Sequence, residues 1–523
     1  MTEQKRYKEL YKNIIFEKGK PFNHWEITAL LETYGLRDID AKNEYNSENL
    51  FELAKKLEVF IEHFDYDEKP ISVEEIIPIV PRITKNYIKG LAFALPMLIQ
   101  ITATIFIGYS LWSSTEISVA DATGIAIGSF TALMVTGGIA QIIGRQGIYY
   151  IKVEQHMLAA KIIKKLYIFG FKIIFFVAIL LSVTHLLFGF FPLDMYLLAI
   201  SFYIMLSVLY LSFSIYYALE DFIDIVSFTL GGVILVFVLY RLLEFELVIS
   251  QIIGLGILNI IIYIYSNIKL NKLEQFNPEA EDAILPKTVV LFHTLLPFFL
   301  YGFFYFSFLV ADRYIAWSAD YENNPYIIWF NINYELGLDW ALISLVFMVG
   351  VTEVSISEVL IRINRATKDY KYNEVDSYNK MIINYINKFN IVFLIVAVIV
   401  VFLSFFIIYY LSIIFNNESL SNMLIQPIPT LFGVASLAYL FLVKALMNVL
   451  LIFSFSRERY ATTAIFYGVI VNVLTGLILS RLLGYEYTVI GLLAGAVVFW
   501  YFSNKGLKKI INNLDYYYYS AYF

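Results

Sequence analysis

Twelve long apolar segments, separated by short polar connections, are the feature that most constrains how this chain folds. Each segment is long enough to cross a hydrocarbon core of about 30 Å as an α-helix. Because a bilayer offers the backbone no hydrogen-bond partners, such segments satisfy their N–H and C=O groups as helices. We predict spans near 88–112, 119–143, 168–191, 193–218, 222–243, 246–267, 287–312, 337–360, 387–415, 427–454, 461–483 and 486–503. The predicted fold class is an all-α polytopic membrane protein.

The first 86 residues differ from the rest of the chain because they are polar and carry more acidic than basic residues. Charged residues make up only 16% of the whole chain, against about 25% in an average soluble protein. Leu50, Leu53 and Leu57 recur at near-helical spacing, and Pro70 then interrupts the chain before the first span. We predict a small soluble helical domain and linker over 1–86. No cleavable signal peptide is expected, so the first span directs membrane insertion.

Lys and Arg near the span ends collect on one side of the predicted membrane. They lie in the connections after spans 2, 6, 8 and 10 and in the carboxy-terminal tail. The opposite connections hold only Arg241, Arg313 and Arg481. Since basic loops stay in the cytoplasm during insertion, we expect both termini to be cytoplasmic. The expected location is the cytoplasmic (inner or plasma) membrane.

The two halves of the predicted topology resemble each other. The two longest basic connections follow spans 2 and 8, which occupy the same place in each set of six. Span 1 contains Pro96 and span 7 contains Pro297, each followed by a tryptophan near the outer end. Six-plus-six duplication is typical of transporters, with the pathway between the halves. We therefore predict an amino-terminal lobe over 87–275 and a carboxy-terminal lobe with a cytoplasmic tail over 276–523.

Motifs of known catalytic sites are absent from the sequence. The chain has no cysteine, which excludes disulfides, thiolate metal sites and cysteine nucleophiles. Phosphate-binding, zinc-protease, serine-hydrolase and dinucleotide-binding motifs are also absent. His24 and His63 are too isolated to indicate a metal site. We expect a protein that is not an enzyme, with no catalytic residue, metal, cofactor or nucleic-acid partner.

Ionisable residues inside the spans are the strongest indication of function, because a charge there costs about 2.5–3.5 kcal/mol on insertion scales. Glu353 lies well inside span 8 and shares a helix face with Ser357, four residues further on. The alternative to a transport role for Glu353 is a buried carboxylate that supports helix packing. Lys444 in span 10 is either an ion-pair partner of Glu353 or a contact for an anionic or polar substrate.

Charged residues at span ends are the second group of candidates. Asp312 and Arg313 close span 7 near the outer side, where an interfacial ion pair is the alternative to a role at the outer mouth. Arg145, with Gln141 one turn before it, lies at the inner end of span 2. Extension of Arg145 to the lipid headgroups is the alternative there. The predicted transport residues are Glu353, Lys444, Asp312, Arg313, Arg145, Gln141 and Ser357.

Two segments of the carboxy-terminal half resemble signatures of the Pel exopolysaccharide transporter (PelG-type) family. Residues 312–317, Asp-Arg-Tyr-Ile-Ala-Trp, are similar to the family's Asp-Lys/Arg-Trp-Ile-Phe-Trp after helix 7. Residues 352–358, Thr-Glu-Val-Ser-Ile-Ser-Glu, resemble its Val-Glu-Thr-Ser-Phe-Tyr-Glu. Residues 484–487 and 514–517 add matches near the end of the chain, and residues 137–145 give a weaker one.

This family belongs to the multidrug, oligosaccharidyl-lipid and polysaccharide (MOP) flippase superfamily. The resemblance implies a twelve-helix, two-lobe fold and export of a glycan by alternating access, in exopolysaccharide and biofilm formation. The implied partners are the glycan and the lipid bilayer, with a cytoplasmic glycosyltransferase and other membrane synthase subunits. Family members usually begin close to helix 1. Residues 1–86 are therefore an addition, either a docking domain for such a synthase or regulator, or a stabilising cap.

Two other functions remain open at this point. A cation-coupled drug or solute antiporter of the same fold would use Glu353 or Asp312, although acidic residues deep in the amino-terminal lobe are scarce. A membrane-embedded glycosyltransferase would need paired acidic residues in a sizeable loop. The candidates for that are in the short connection between spans 7 and 8: Asp320, Glu322, Glu335 and Asp339. Export of a polysaccharide or lipid-linked oligosaccharide is the function that we predict.

Overall fold

The computed structural model describes residues 23–62, 78–275, 285–320, 324–369, 375–415 and 424–519, together with Leu10, Ile14, Pro21 and Glu322. Within this part of the chain the architecture is all-helical, with one isolated β-bridge between Tyr109 and Ser114 and no strand. Three helices precede the membrane region: α1 (His24–Thr33), α2 (Asp38–Tyr45) and α3 (Leu50–Glu62).

Twelve further helices of the described chain are long and apolar enough to cross a membrane, which confirms the predicted spans. In order they are α4 (Ile79–Ile107), α5 (Val119–Lys152), α6 (His156–Phe188), α7 (Leu193–Ala218), α8 (Phe222–Phe237), α9 (Leu247–Glu274), α10 (Thr288–Trp317), α11 (Ile332–Asp369), α12 (Val375–Phe415), α13 (Ile428–Ser454), α14 (Glu458–Leu483) and α15 (Thr488–Ile511). A π-helical turn (Val238–Leu242) extends α8, a 3-10 turn (Tyr485–Tyr487) precedes α15, and α16 (Leu514–Tyr519) follows it.

Local sequence signals set several helix boundaries. The Ser118 hydroxyl accepts a hydrogen bond from the Asp121 backbone N–H (3.1 Å) and caps the start of α5. Gly189 ends α6 in the left-handed conformation, at φ 58°, which a residue without a Cβ adopts freely. Pro96 and Pro297 lie inside α4 and α10. Membrane helices tolerate such prolines because neighbouring groups satisfy the freed carbonyls. The carbonyl of Pro297 itself accepts a hydrogen bond from the Thr462 hydroxyl of α14 (2.9 Å).

Large apolar side chains lie on the outer surface of the long helices. Phe176 of α6, Leu394 of α12 and Leu474 of α14 are all more than half exposed. A soluble monomer rarely exposes an apolar surface of this extent. On helices that are long enough to cross a bilayer, these side chains contact lipid tails instead. The chain is therefore a multi-pass membrane protein.

The first of two compact units consists of residues 1–86, 354–391 and 511–519. Its amino-terminal helices pack around a small apolar core: Ile27, Leu30, Leu31, Leu53 and Leu57. Elsewhere in this unit, the Arg82 guanidinium donates to both oxygens of Glu358 (2.7 and 2.9 Å), and both side chains are largely buried. The Asn86 side-chain amide donates to Ser357 Oγ (2.8 Å), which gives the predicted residue Ser357 a polar partner.

An ion pair organises the start of α2 in the same unit. Asp40 accepts hydrogen bonds from the Arg37 side chain (3.1 Å) and from the Arg37 backbone N–H (2.9 Å). These bonds lower the pKa of the partly exposed Asp40 carboxyl below its ordinary value. That residues 1–86 form a separate soluble domain stays a prediction.

The second unit contains residues 87–353 and 392–510. Helix α5 approaches two neighbours closely because it presents glycines to them. A Cβ built on Gly128 would lie 2.4 Å from the Ala199 carbonyl of α7. A Cβ built on Gly302 of α10 would lie 2.4 Å from the Gly137 carbonyl of α5. Small residues allow membrane helices to pack backbone to backbone in this way. The division into lobes over 87–275 and 276–523 stays a prediction.

Candidate functional site

Two neighbouring helices bring four charged side chains together in the second unit. Helix α10 carries Asp312 and Arg313 in its last two turns, and α11 carries Glu335 in its first turn and Asp339 one turn later. Because residues four apart share a helix face, both α11 carboxyls reach Arg313. Asp312 is fully buried, and Arg313 and Glu335 are each only 5% exposed. We call these four residues the arginine cluster.

Arg313 is the centre of the arginine cluster. Its guanidinium donates from Nη1 to Glu335 Oε2, and the same nitrogen lies 3.5 Å from Asp339 Oδ1. The other oxygen of Glu335 accepts a hydrogen bond from the indole N–H of Trp317 (3.0 Å). The guanidinium also lies 5.2 Å from the centre of the Phe130 ring, a cation–π contact. Arg313 therefore links α10 to both α11 and α5.

Asp312 is less completely paired than the rest of the cluster. The Tyr334 hydroxyl donates to Asp312 Oδ2 (2.9 Å), whereas the buried Oδ1 accepts no hydrogen bond from the residues that the structure describes. The buried carboxyl groups of Asp312 and Glu335 and the partly exposed one of Asp339 accompany one guanidinium here. An excess of buried negative charge is unfavourable in a low dielectric. A proton or a cationic group of a substrate would offset that excess. No group of three or more metal-ligating side chains gathers among the described residues.

One member of the arginine cluster, Glu335, lies in a different element from the one predicted. Glu335 was expected in the connection between spans 7 and 8, but α11 begins at Ile332, before the predicted start of span 8, and includes it. The spacing of four between Glu335 and Asp339 was the available signal that both lie on one helix face. Asp312 and Arg313 are both buried. Their predicted role at the outer mouth, and the alternative of an interfacial ion pair, stay predictions.

Glu353 contacts a cation that the sequence analysis did not single out. Lys89 Nζ on α4 lies 3.7 Å from Glu353 Oε1 and 2.9 Å from Glu220 Oε1, in the turn after α7. All three side chains are partly exposed. Helices α4 and α11 meet closely here, since a Cβ on Gly90 would lie 2.8 Å from Gly350 Cα. Glu353 is therefore part of the contact between α4 and α11.

Lys444 has a different environment from Glu353. Its ammonium lies 5.3 Å from the centre of the Phe393 ring on α12 and 3.4 Å from Met447 Sδ on its own helix. An aromatic face and a thioether both suit a partly buried ammonium group. The sequence left open whether Lys444 pairs with Glu353, and the cation that the structure places beside Glu353 is Lys89. A substrate contact by Lys444 stays a prediction.

Gln141 and Arg145 lie where α5 packs against α10. The Arg145 guanidinium is 5.3 Å from the centre of the Phe298 ring. A Cβ on Gly302 would lie 2.6 Å from Gln141 Cγ. The Gln141 side chain therefore packs directly against the backbone of α10 at Gly302. Transport roles for Gln141 and Arg145 stay predictions.

Comparison with known proteins identifies the fold. No family profile and no curated protein matches the sequence. Among solved structures, an outward-facing multidrug resistance MATE family transporter of the MOP superfamily matches with TM-score 0.56 and 11% identity, over 83% of this chain and 97% of that one. The Vibrio cholerae MATE transporter VcmN in its bent form matches with TM-score 0.54 and 13% identity, over 83% of this chain and 97% of that one. The chain has a MATE-like fold.

A third structure with this MATE-like fold is a MOP superfamily transporter from Pyrococcus furiosus, whose reversed binding-pocket polarity suggested a different function for it. It matches with TM-score 0.54 and 12% identity, over 83% of this chain and 97% of that one. At such identities the likeness shows the fold alone. A fold of this kind is what the resemblance to PelG-type transporters implies, and the likeness does not test membership of that family.

Within the MATE-like fold, buried charge is distributed unequally along the chain. Residues 87–275 are described without a gap, and every buried polar side chain among them is uncharged, such as Gln100, Gln251 and Asn259. In the described part of the second unit beyond residue 287, the buried charged side chains are Asp312, Arg313 and Glu335. The arginine cluster therefore contains every buried charged side chain that the structure describes in this unit.

Proposed function

We propose that this protein is a transporter that exports a polysaccharide or a lipid-linked oligosaccharide across the cytoplasmic membrane. The MATE-like fold supports transport rather than catalysis. The resemblance of two segments to PelG-type transporters supports a glycan as the substrate. In this proposal α4–α9 and α10–α15 form two lobes that rock about a central pathway and expose it alternately to the two sides.

The observation that carries the proposal is that the first resembling segment contributes Asp312 and Arg313 to the arginine cluster. Asp312, Arg313 and Trp317, at the two ends of residues 312–317, each bond to a residue in the first turn of α11. Ionisable groups at this depth in membrane proteins usually mark a substrate pathway or a conformational switch. The same segment thus supplies both the resemblance and the buried charge that transport would use.

The second resembling segment, residues 352–358, supports the proposal in the same way. Its polar residues bond to residues of α4: Glu353 to Lys89, Ser357 to Asn86 and Glu358 to Arg82. In the proposed two-lobe arrangement, α4 belongs to one lobe and α11 to the other. A segment with this many polar contacts to the opposite lobe suits a protein whose lobes associate and separate during transport.

The proposal is tested by deleting the gene in the native host. Extracellular polysaccharide is measured beside intracellular and lipid-linked glycan. Loss of extracellular polymer with accumulation inside the cell, restored by the wild type, is expected. Glu353→Gln should fail to restore export at an unchanged protein level, whereas Glu274→Gln, in the partly exposed Lys164–Glu274 pair, should restore it. Normal export with Glu353→Gln would refute the role assigned to Glu353.

A second candidate function, proton-coupled efflux of a cationic compound, is favoured by the surplus of carboxyl groups in the arginine cluster. The buried Asp312 Oδ1 without a hydrogen-bond partner is a position where a proton could bind and leave. This function predicts that deletion leaves the polysaccharide unchanged and raises sensitivity to cationic compounds. It also predicts that Asp312→Asn abolishes efflux driven by a proton gradient.

We also propose the orientation and partners expected from the sequence. Both termini face the cytoplasm, and residues 1–86 bind a cytoplasmic glycosyltransferase or another synthase subunit. Since the chain has no cysteine, a single cysteine placed at Lys42 reports the side of the membrane directly. Labelling by an impermeant maleimide only after the membrane is opened is expected, and labelling of intact spheroplasts would contradict the orientation.

A further inference from the structure

We propose that Lys89 is a switch residue that holds α4 against α11 at the predicted cytoplasmic side. It bridges to Glu353 of α11 when the two helices are in contact, and it keeps Glu220 as a partner when they separate. The inference rests on the proposed alternating-access transport. Within that function it assigns Glu353 to the closing of one end of the pathway rather than to substrate binding.

The contact between α4 and α11 is close enough to exclude side chains from its centre. A Cβ on Gly90 would lie 2.8 Å from Gly350 Cα and 3.0 Å from the Val349 carbonyl. A Cβ on Gly350 would lie 2.6 Å from the Tyr87 ring. The Tyr87 hydroxyl is 3.4 Å from the Phe347 carbonyl, at the limit of a hydrogen bond. These helices are therefore in backbone contact, and a pathway between them is closed at this point.

Lys89 lies beside this contact and is shared by two carboxylates. Its Nζ is 2.9 Å from Glu220 and 3.7 Å from Glu353. The shorter distance belongs to the partner that lies within the predicted amino-terminal lobe, and the longer one crosses to α11. One ammonium with two acceptors can exchange them without ever losing its counter-ion, which lowers the cost of breaking either bond.

The Glu220 end of this arrangement is fixed to α4 by a second contact. The Tyr217 hydroxyl, one turn before Glu220, donates to the Phe93 carbonyl of α4 (3.1 Å). The Tyr217 and Phe93 rings stack with their centres 5.4 Å apart. The end of α7 and α4 therefore move together. If the lobes separate, Lys89 retains Glu220 and loses Glu353, so the bond to Glu353 reports and stabilises the closed contact.

The experiment uses disulfide formation between Tyr87→Cys and Gly350→Cys in the full-length protein in membranes. Removing the Tyr87 ring makes room for a side chain at Gly350, and the chain contributes no other cysteine. The initial crosslinking rate under a mild oxidant measures how often α4 and α11 are in contact. Lys89→Gln and Glu353→Gln should each lower this rate about fivefold, the range of a partly exposed ion pair. Lys89→Arg should preserve it.

Glu220→Gln makes the sharper prediction because its sign is opposite. Without this competing carboxylate the ammonium is left to Glu353, so crosslinking should become faster. A merely structural ion-pair network would loosen and crosslink more slowly with any of its members removed. The matched control is Lys269→Gln, because Lys269 of α9 also bridges two carboxylates, Asp221 and Asp224. Those carboxylates lie in the turn before α8 and in α8, so this bridge does not join α4 to α11. Lys269→Gln should leave the rate unchanged.

A second cysteine pair, Gly137→Cys with Phe306→Cys, monitors the contact of α5 with α10, where a Cβ on Gly137 would lie 3.0 Å from Phe306 Cγ and removal of the Phe306 ring makes room for it. A rate at this pair that does not respond to Lys89→Gln supports a local switch. Three results would overturn the proposal. They are equal crosslinking rates of the 87–350 pair in all variants, slower crosslinking of that pair with Glu220→Gln, and an equal fall in rate at both cysteine pairs with Lys89→Gln. If crosslinking behaves as expected while gene deletion leaves extracellular glycan unchanged, the export proposal fails and the switch stands.

Discussion

Replacing Arg313 by Met should strongly destabilise the folded protein, because it removes the guanidinium that pairs with the buried carboxylate of Glu335 and the partly exposed one of Asp339. Glu335 would lose its guanidinium partner and keep only the Trp317 indole N–H. Breaking a buried ion pair from one side typically costs about 3–5 kcal/mol, since the remaining charge is left uncompensated. At about 2 cal/mol/K of unfolding entropy per residue over 523 residues, the melting temperature should fall by about 3–5 °C.

The assay is thermal unfolding of the purified protein in one detergent, followed by the monodisperse fraction in gel filtration. Arg241→Gln is the matched control, because Arg241 is half-exposed and 3.9 Å from Glu116. An exposed pair of this kind is worth about 1 kcal/mol or less, so its melting temperature should barely change. The double variant Arg313→Met, Glu335→Leu should recover part of the lost melting temperature, because neither charge of that ion pair then remains buried without a partner. A single Arg313→Met variant as stable as the Arg241→Gln control would refute the reasoning.

Three further predictions concern other parts of the chain. Gly302→Val should reduce the yield of folded protein several-fold, because the new Cβ would lie 2.4 Å from a backbone carbonyl of α5. Gly144→Ala is the control and should leave the yield unchanged, because a Cβ there has no atom within 4 Å. Immunoblots of the membrane fraction compare the two variants. Trp317→Phe should cost about 1.5–3 kcal/mol of unfolding free energy, the usual value of a hydrogen bond to a charged acceptor, measured by the same thermal assay. The pKa of Asp40 is lowered in the folded protein, so its ion pair with Arg37 stabilises α2 at pH values above the ordinary aspartate pKa of about 3.9. This stabilisation is lost as the pH falls through the lowered pKa. Arg37→Gln should raise the pKa of Asp40, which an NMR titration measures.

The number and order of the spans could be predicted from the sequence because hydrophobic length alone decides whether a helix crosses a bilayer. Each predicted span overlaps one helix from α4 to α15. Boundaries were less predictable. The end of the lipid-exposed region does not end a helix, so α11 runs from Ile332 to Asp369, well beyond the predicted 337–360.

The candidate site could be predicted only in part. Asp312 and Arg313 stood out because charge inside an apolar span is costly. Glu335 and Asp339 were named only as candidates for a glycosyltransferase. That Glu335 pairs with Arg313 depends on how α11 returns against α10, which no local pattern encodes. In the same way, Glu353 could be identified as a candidate from the sequence because it is a charged residue inside a span. Lys89, near the start of span 1, has the sequence context of an ordinary interfacial lysine, and only the fold places it 3.7 Å from Glu353.

The central claim, that this MATE-like protein moves a glycan across the membrane, is tested most directly with purified protein in liposomes. Lipid-linked oligosaccharide extracted from the native host is placed in both leaflets, and the fraction that reaches an external lectin is followed over time. The account predicts that the internal fraction becomes accessible with wild-type protein and far more slowly with Glu353→Gln. Accessibility no faster than in protein-free liposomes, together with proton-driven uptake of a cationic dye by the same preparation, would contradict it.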